Sequence, residues 1–434
     1  MRPLASIRTL LKTRSLREVS FVYAGSLLNG ASLLALNIVL ARGLTLEMFG
    51  IFSLAIMVLG TVAEMSDFGL NAGLLRFAPY YLASGDEDKF KQLIKIIWRW
   101  RVTLTAVLTI GSAVASYPLA YYLFGQPAIA PYVLYASLGI GGVVLLGFLA
   151  TYLQARQRFY YNSTLQALKG FLRLALVVIL WLEGVTSLFA YLTVYIFIPW
   201  ILFFLNFHLF PAGFTRQLAG EEIKQKIRSQ LGRFSFWLTV SSFTAIVGSR
   251  IDQVMISHYL GLAEVAIFTA AFQFIQLFPI IYNSINSVLT PKISGLKSKT
   301  EVAALVVKTF KWMCVATLAI AIVIYPSQYL IILLFGSNYS ASMPVYVILA
   351  YALLLNVLTI PFSLTITVFN QTHLVAASGA VHLIVNVIAN LILIPRYGII
   401  GAAYAFAISV VVLVAWNTLW ALYILRNKEL VMEE

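Results

Sequence analysis

The chain has 434 residues, 61% of them hydrophobic and only 11% charged, with a net charge of +14 and a mean hydropathy of +0.90. A soluble domain carries roughly 25% charged residues because its surface faces water, so lipid must cover much of this surface. A membrane β-barrel is excluded too, because stretches such as Ser378–Ile394 and Leu174–Trp181 lack the alternation of barrel strands. The single cysteine, Cys314, lies in an apolar run and reads as a small buried hydrophobe.

Runs of about 20 apolar residues, the length that crosses a bilayer, recur along the chain. They predict an all-α polytopic membrane protein with about twelve spans, at roughly 19–41, 50–80, 98–124, 131–154, 162–182, 187–210, 234–259, 263–290, 305–333, 343–369, 374–394 and 399–425. The second and eighth stretches are long enough to tilt, kink or run past the membrane. The basic N-terminus enters an apolar run of full spanning length without a small-residue cleavage site, so no cleaved signal peptide is expected.

Lysine and arginine set the orientation. The N-terminal tail, the loops after spans 2, 4 and 8 with the adjoining helix ends, the central linker and the C-terminal tail together hold 24 of the 30 cations. The opposite loops hold only Arg42 and Arg396. Both termini are therefore expected on the cytoplasmic face of a bacterial plasma membrane. The basic charge follows topology and faces anionic membrane lipids, so nucleic acid is not an expected partner.

The chain repeats weakly at an offset of about 216 residues. Arg42-Gly43-Leu44-Thr45-Leu46-Glu47-Met48-Phe49-Gly50-Ile51-Phe52 follows span 1, and Tyr259-Leu260-Gly261-Leu262-Ala263-Glu264-Val265-Ala266-Ile267-Phe268 follows span 7. Six is an even number, so two such halves are parallel repeats. The expected organisation is a basic tail at 1–18, six-helix bundles at 19–210 and 234–425, a cytoplasmic linker at 211–233 and a tail at 426–434. In the linker Ile223, Ile227 and Leu231 recur every four residues among charges, the pattern of an amphipathic surface helix.

Nothing in the chain points to an enzyme. The predicted outer loops, near 42–49, 125–130, 183–186, 260–262, 334–342 and 395–398, are too short for an active-site domain. No P-loop, Gly-x-Ser-x-Gly or His-Glu-x-x-His motif occurs, and His208, His258, His373 and His382 lack metal-ligand spacing. No metal or organic cofactor is expected.

A transporter needs a polar path instead. Charge inside a membrane helix costs at least about 2.5–3.5 kcal/mol at the centre and usually faces a cavity or a partner. Span 2 carries Glu64, Asp67 and, nearer the cytoplasm, Arg76; span 5 carries Lys169 and Arg173; span 7 carries Arg250 and Asp252. Glu64, Asp67, Arg250 and Asp252 either line a path or form structural ion pairs. Arg76 either lines it or snorkels to the interface. Lys169 and Arg173 lack an acidic partner on their own helix, which favours an anionic ligand. Uncharged stripes add Ser26, Asn29, Ser32 and Asn37 on span 1, and Gln273, Gln276, Asn283 and Asn286 on span 8, lining a cavity or packing helices. On span 11 Ser378, His382, Asn386 and Asn390 recur every four residues, which favours packing.

Three stretches carry a family resemblance: Ala41-Arg42-Gly43-Leu44 through Phe49-Gly50-Ile51-Phe52, Asp67-Phe68-Gly69-Leu70 through Arg76-Phe77, and Ser249-Arg250-Ile251-Asp252-Gln253 through Leu260-Gly261. The chain resembles the bacterial polysaccharide-biosynthesis flippases, the O-antigen and exopolysaccharide branch of the multidrug/oligosaccharidyl-lipid/polysaccharide exporter superfamily. It departs in having Ala266 where the repeat has Gly50. The resemblance implies two bundles in a V around a central cavity lined by spans 1, 2, 7 and 8. It also implies flipping of an undecaprenyl-diphosphate-linked oligosaccharide from the inner to the outer leaflet by alternating access. Arg76, Lys169, Arg173 and Arg250 would then attract the diphosphate or acidic sugars. Glu64, Asp67 and Asp252 would hold helices or bind a coupling proton or sodium ion. Polysaccharide polymerase and assembly proteins would be partners. Rival expectations are a cation-coupled drug exporter of the same superfamily, an integral membrane sugar polymerase or glycosyltransferase, and a membrane scaffold of an assembly complex.

Overall fold

A computed structural model describes residues 14–214, 221–276, 278, 282, 285–286, 289–290, 292–293, 296 and 298–427, and among them there is helix but no strand. Among the described residues seven helices are long and apolar enough to cross a membrane, or nine if two bent pairs each count as one span. One of the seven, His373–Asn427, has 55 residues. At 1.5 Å per residue a straight helix of that length would measure about 80 Å, far beyond a hydrocarbon core of about 30 Å. It is kinked at Gly398, whose φ of 62° breaks the helix just after Pro395, where the sequence predicts the turn between spans 11 and 12. The expected count of twelve exceeds what these helices establish.

The described residues form two compact units. Unit 1 comprises the described residues up to Tyr122 together with Pro127–Ile246; unit 2 comprises Leu123–Gln126 and the described residues from Val247 onward.

In unit 1 the helices are α1 (Arg14–Gly43), α2 (Leu46–Met65), α3 (Leu70–Ala83), α4 (Glu87–Val114), α5 (Ala130–Ser137), α6 (Gly139–Ala155), α7 (Phe159–Leu182), α8 (Leu188–Asn206) and most of α9 (Glu221–Gly248). Thr45 caps α2 by accepting from the Met48 amide, and Asp86 caps α4 by accepting from the Lys89 amide. Such caps satisfy amides that lack a partner in the first turn. Small residues bring α1 and α7 together: a Cβ on Gly25 would meet Ser163 at 2.9 Å, and one on Gly170 would meet Asn29 at 3.0 Å. This is membrane packing by close backbone approach. At one end Trp98 of α4 is surrounded by Phe148, Phe203, Phe207, Phe210 and Phe214, with ring centroids 5.8–6.2 Å away. That cluster ties the chain after α8 to the bundle.

The expected boundary between linker and second bundle does not interrupt the backbone. Helix α9 runs through 233/234 and stops only at Gly248, and α10 (Ile251–Leu260) begins after Ser249 and Arg250. Its Ile227 and Leu231 are buried, with Leu231 against Gly73 of α3. These two residues of the apolar stripe expected on a surface helix are buried in protein.

In unit 2, α10 is followed by α11 (Leu262–Ile275), α12 (Lys299–Ser327), α13 (Tyr329–Phe335), α14 (Ser342–Val357), α15 (Ile360–Val368) and α16 (Thr372–Asn427). One core cluster gathers Ile293, Val302, Val306, Ile360, Ile366 and Ile424.

Candidate functional site

The sequence Ser66-Asp67-Phe68-Gly69 breaks the predicted second span into α2 and α3. Phe68 and Gly69 both adopt positive φ, 44° and 68°. A left-handed phenylalanine is unusual, because its Cβ crowds the carbonyl, and it holds the break open where a helix would otherwise continue. Backbone that leaves the helix inside a membrane must face protein or a water-filled cavity.

Here it faces a cavity of about 490 Å³ within unit 1. Glu64, Asp67 and Asn71 line it from the break, Arg101 from α4, and Thr239 and Ser242 from α9. Arg101 is 2% exposed. One guanidinium nitrogen donates to Asp67 Oδ1 at 2.7 Å and to Asn71 Oδ1 at 3.0 Å, and the other reaches the Val144 carbonyl at 3.5 Å. The guanidinium carbon also lies 5.3 Å from the Phe148 ring centroid. Asp67 in turn accepts from the Asn71 amide at 3.3 Å. The result is a polar pocket inside an apolar bundle, with carboxylates, a buried cation, an amide and hydroxyls converging on one space.

A buried carboxylate lies in unit 2. Asp252, in the first turn of α10, accepts from Asn390 Nδ2 at 2.7 Å, and the same nitrogen donates to Asn386 Oδ1 at 3.0 Å. All three residues are buried, and Asn390 Oδ1 is a buried oxygen with no hydrogen-bond partner. A carboxylate beside amide oxygens is a hard-oxygen environment, suited to a proton or an alkali cation.

Of the described residues singled out from sequence, only Glu64 and Asp67 line the cavity of unit 1. Arg76 is exposed, with its guanidinium carbon 4.7 Å from the Phe234 ring centroid. Lys169 donates to Gln166 Oε1 at 2.7 Å. Arg173 donates to the Tyr195 carbonyl at 3.0 Å and lies 4.2 Å over the Tyr195 ring. Asn29 packs at the α1–α7 contact, and Asn37 donates to the Leu33 carbonyl of its own helix at 2.8 Å. Arg250 is the N-cap residue of α10. Gln273 is half-buried on α11, Gln276 is exposed at its C-cap, and Asn286 accepts from Thr290 through its carbonyl. Asn283 lies outside the described residues.

The sequence places Arg101 on the cytoplasmic flank of span 3; the structure buries it against Asp67 instead. Asn71 was not singled out at all. Asn386 and Asn390 were read as packing residues, and they pack on a carboxylate.

The family model for polysaccharide biosynthesis proteins matches residues 15–297, well over half of the chain. The chain belongs to that family. The match contains the helix break, the cavity and Asp252. A putative O-antigen transporter of Shigella flexneri is 26% identical over 198 residues, covering 45% of this chain and 47% of that protein. A probable low-salt glycan biosynthesis flippase, Agl15 of Haloferax volcanii, is 25% identical over 184 residues, covering 41% and 39%. The matched stretch thus spans less than half the length of each of these relatives. Among solved structures, an inward-facing multidrug resistance MATE family transporter of the MOP superfamily aligns with a TM-score of 0.74 at 13% identity, over 92% of this chain and 94% of that one. Lipid II flippase MurJ in an inward closed conformation aligns with a TM-score of 0.70 at 13% identity, over 92% and 87%. At such identities these structures show a shared polytopic helical fold.

Proposed function

We propose that this protein is a flippase that moves an undecaprenyl-diphosphate-linked oligosaccharide, an O-antigen or exopolysaccharide repeat unit, from the inner to the outer leaflet of the bacterial plasma membrane. The observation that carries the reading is the mixed-charge cavity at the Asp67-Phe68-Gly69 break, in a chain of the polysaccharide biosynthesis family. A sugar chain presents hydroxyls that need both donors and acceptors, and the cavity supplies Arg101, Asn71, Thr239 and Ser242 beside Glu64 and Asp67. The two named relatives, an O-antigen transporter and a glycan flippase, support the same cargo class.

In this reading the chain is organised as the two parallel six-helix bundles expected from sequence, joined by the linker, with both termini cytoplasmic. They alternate access to the cavity while the polyprenyl tail stays in lipid. Arg76, Lys169, Arg173 and Arg250 remain candidate attractants for the diphosphate. Asp252 with Asn386 and Asn390 is the proposed seat of a coupling proton or sodium ion. Polymerase and assembly proteins would take the flipped product.

The competing reading is a cation-coupled exporter of small molecules, which the likeness to a multidrug transporter fold favours. Complementation separates the two. In a flippase-null strain this chain should restore surface glycan and clear lipid-linked sugar from the inner leaflet. Unchanged accumulation of that sugar, together with new drug resistance, would favour the exporter.

A further inference from the structure

Unit 2 carries a second cleft, of about 400 Å³, well away in sequence from Asp252. Its walls include Lys292, from the segment preceding α12, and Leu305, Lys308, Thr309, Trp312 and Met313 of α12. Counted from Leu305, the α12 residues stand at i, i+3, i+4, i+7 and i+8, so they form one helical face. On that face Lys308 and Thr309 follow Leu305, Lys292 adds a second lysine to the cleft, and toward the C-terminus the face turns to Trp312, Met313 and Ala316.

The helix continues as a bare apolar surface. Trp312 is 69% exposed, and further along the same face Ala316 is exposed and Val323 is 60% exposed; such a run on a spanning helix faces hydrocarbon. Tryptophan on such a surface marks the headgroup level of a bilayer. The basic end is marked independently by Lys299, which donates to the Arg426 carbonyl at 3.0 Å. That bond brings the start of α12 and the end of α16 together at one edge of the unit. Neither Lys292 nor Lys308 pairs with a carboxylate among the described residues. A soluble anion would find too few polar groups here and one open apolar wall. An amphiphile matches both parts.

We propose that this cleft seats one anionic glycerophospholipid. Its phosphate lies against the Lys292 and Lys308 ammonium groups and the Thr309 hydroxyl, and an acyl chain follows Met313, Ala316 and Val323 along α12. Lysines at a headgroup surface select anionic over zwitterionic lipid, so phosphatidylglycerol binds and phosphatidylcholine does not. The inference rests on the membrane fold alone and holds whichever cargo the protein carries.

The test uses the full chain, purified in detergent and stripped of lipid. Phosphatidylglycerol with brominated acyl chains quenches nearby tryptophan. It should quench the wild type saturably, brominated phosphatidylcholine should not, and Trp312→Phe should lose the saturable component. The double variant Lys292→Ala/Lys308→Ala, both exposed positions, should bind phosphatidylglycerol on the order of tenfold more weakly. Equal quenching by the two lipids, or unchanged affinity in the double variant, overturns the proposal. Displacement of phosphatidylglycerol by a lower concentration of undecaprenyl diphosphate also overturns it, assigning the cleft to the cargo's path.

Discussion

Arg101 and Asp67 stand 34 residues apart in sequence and meet at 2.7 Å, a cation 2% exposed against a carboxylate 29% exposed. The asymmetry matters. The guanidinium has left water almost completely, while the carboxylate borders the cavity and keeps partial access to it. Removing one partner of a buried pair strands the other, at a cost of about 3–5 kcal/mol. The more deeply buried partner is the worse one to strand. Asp67→Ala should therefore destabilise more than Arg101→Ala, and Asp67→Asn, which still accepts the hydrogen bond, should cost least. Thermal unfolding in detergent checks the order. Equal losses for the two alanine variants would show that the pair is effectively solvated.

The break beside this pair makes a second, independent prediction. Gly69 at φ 68° is the residue before α3, and a side chain there pays the left-handed penalty of about 1–2 kcal/mol. Gly69→Ala should destabilise the fold by that amount and so lower the melting temperature, and Phe68→Gly should raise it, because glycine relieves the strained φ of 44°. If Gly69→Ala melts like the wild type, the break is able to close into continuous helix.

How much of this was legible in the sequence differs from residue to residue. Pro395 and Gly398 mark their own turn, because proline and glycine act locally. Asp67 and Asp252 stand out as charges in apolar runs. Their partners do not. Arg101 follows Lys95 and Arg99 and so looks like one more flanking cation. Asn390 lies 138 residues from Asp252, and no local pattern links positions so far apart.

The same Asp86 provides a pH test outside the membrane spans. The Lys89 side chain hydrogen-bonds the carboxylate, the largest of the influences that hold its pKa below the ordinary value. A carboxyl depressed in the folded state stabilises the fold above its unfolded pKa of about 3.9. That contribution is lost as pH falls through the folded value. Asp86→Ala should therefore melt lower than the wild type at pH 7, with the difference vanishing in acid below the carboxylate range. A difference that stays constant across this range would assign the effect to packing.

Asp252 allows the coupling proposal to be tested without collapsing the fold. The carboxylate accepts from Asn390 at 2.7 Å, and the amide of Asp252→Asn can accept the same bond. What the substitution removes is the negative charge that a sodium ion or proton would neutralise. Folding should therefore stay near wild type, while transport of lipid-linked sugar in proteoliposomes loses its response to an imposed ion gradient, a stimulation expected to be about tenfold, or 1.4 kcal/mol. Asn386→Ala separates the two candidate ions. It deletes an amide oxygen that a sodium ion would need as a ligand but that protonation of the carboxylate does not. Sodium coupling predicts a higher sodium requirement in Asn386→Ala, whereas proton coupling predicts an unchanged pH-gradient response. A wild-type gradient response in Asp252→Asn would remove Asp252 from the coupling mechanism and leave it as a structural acceptor for α16.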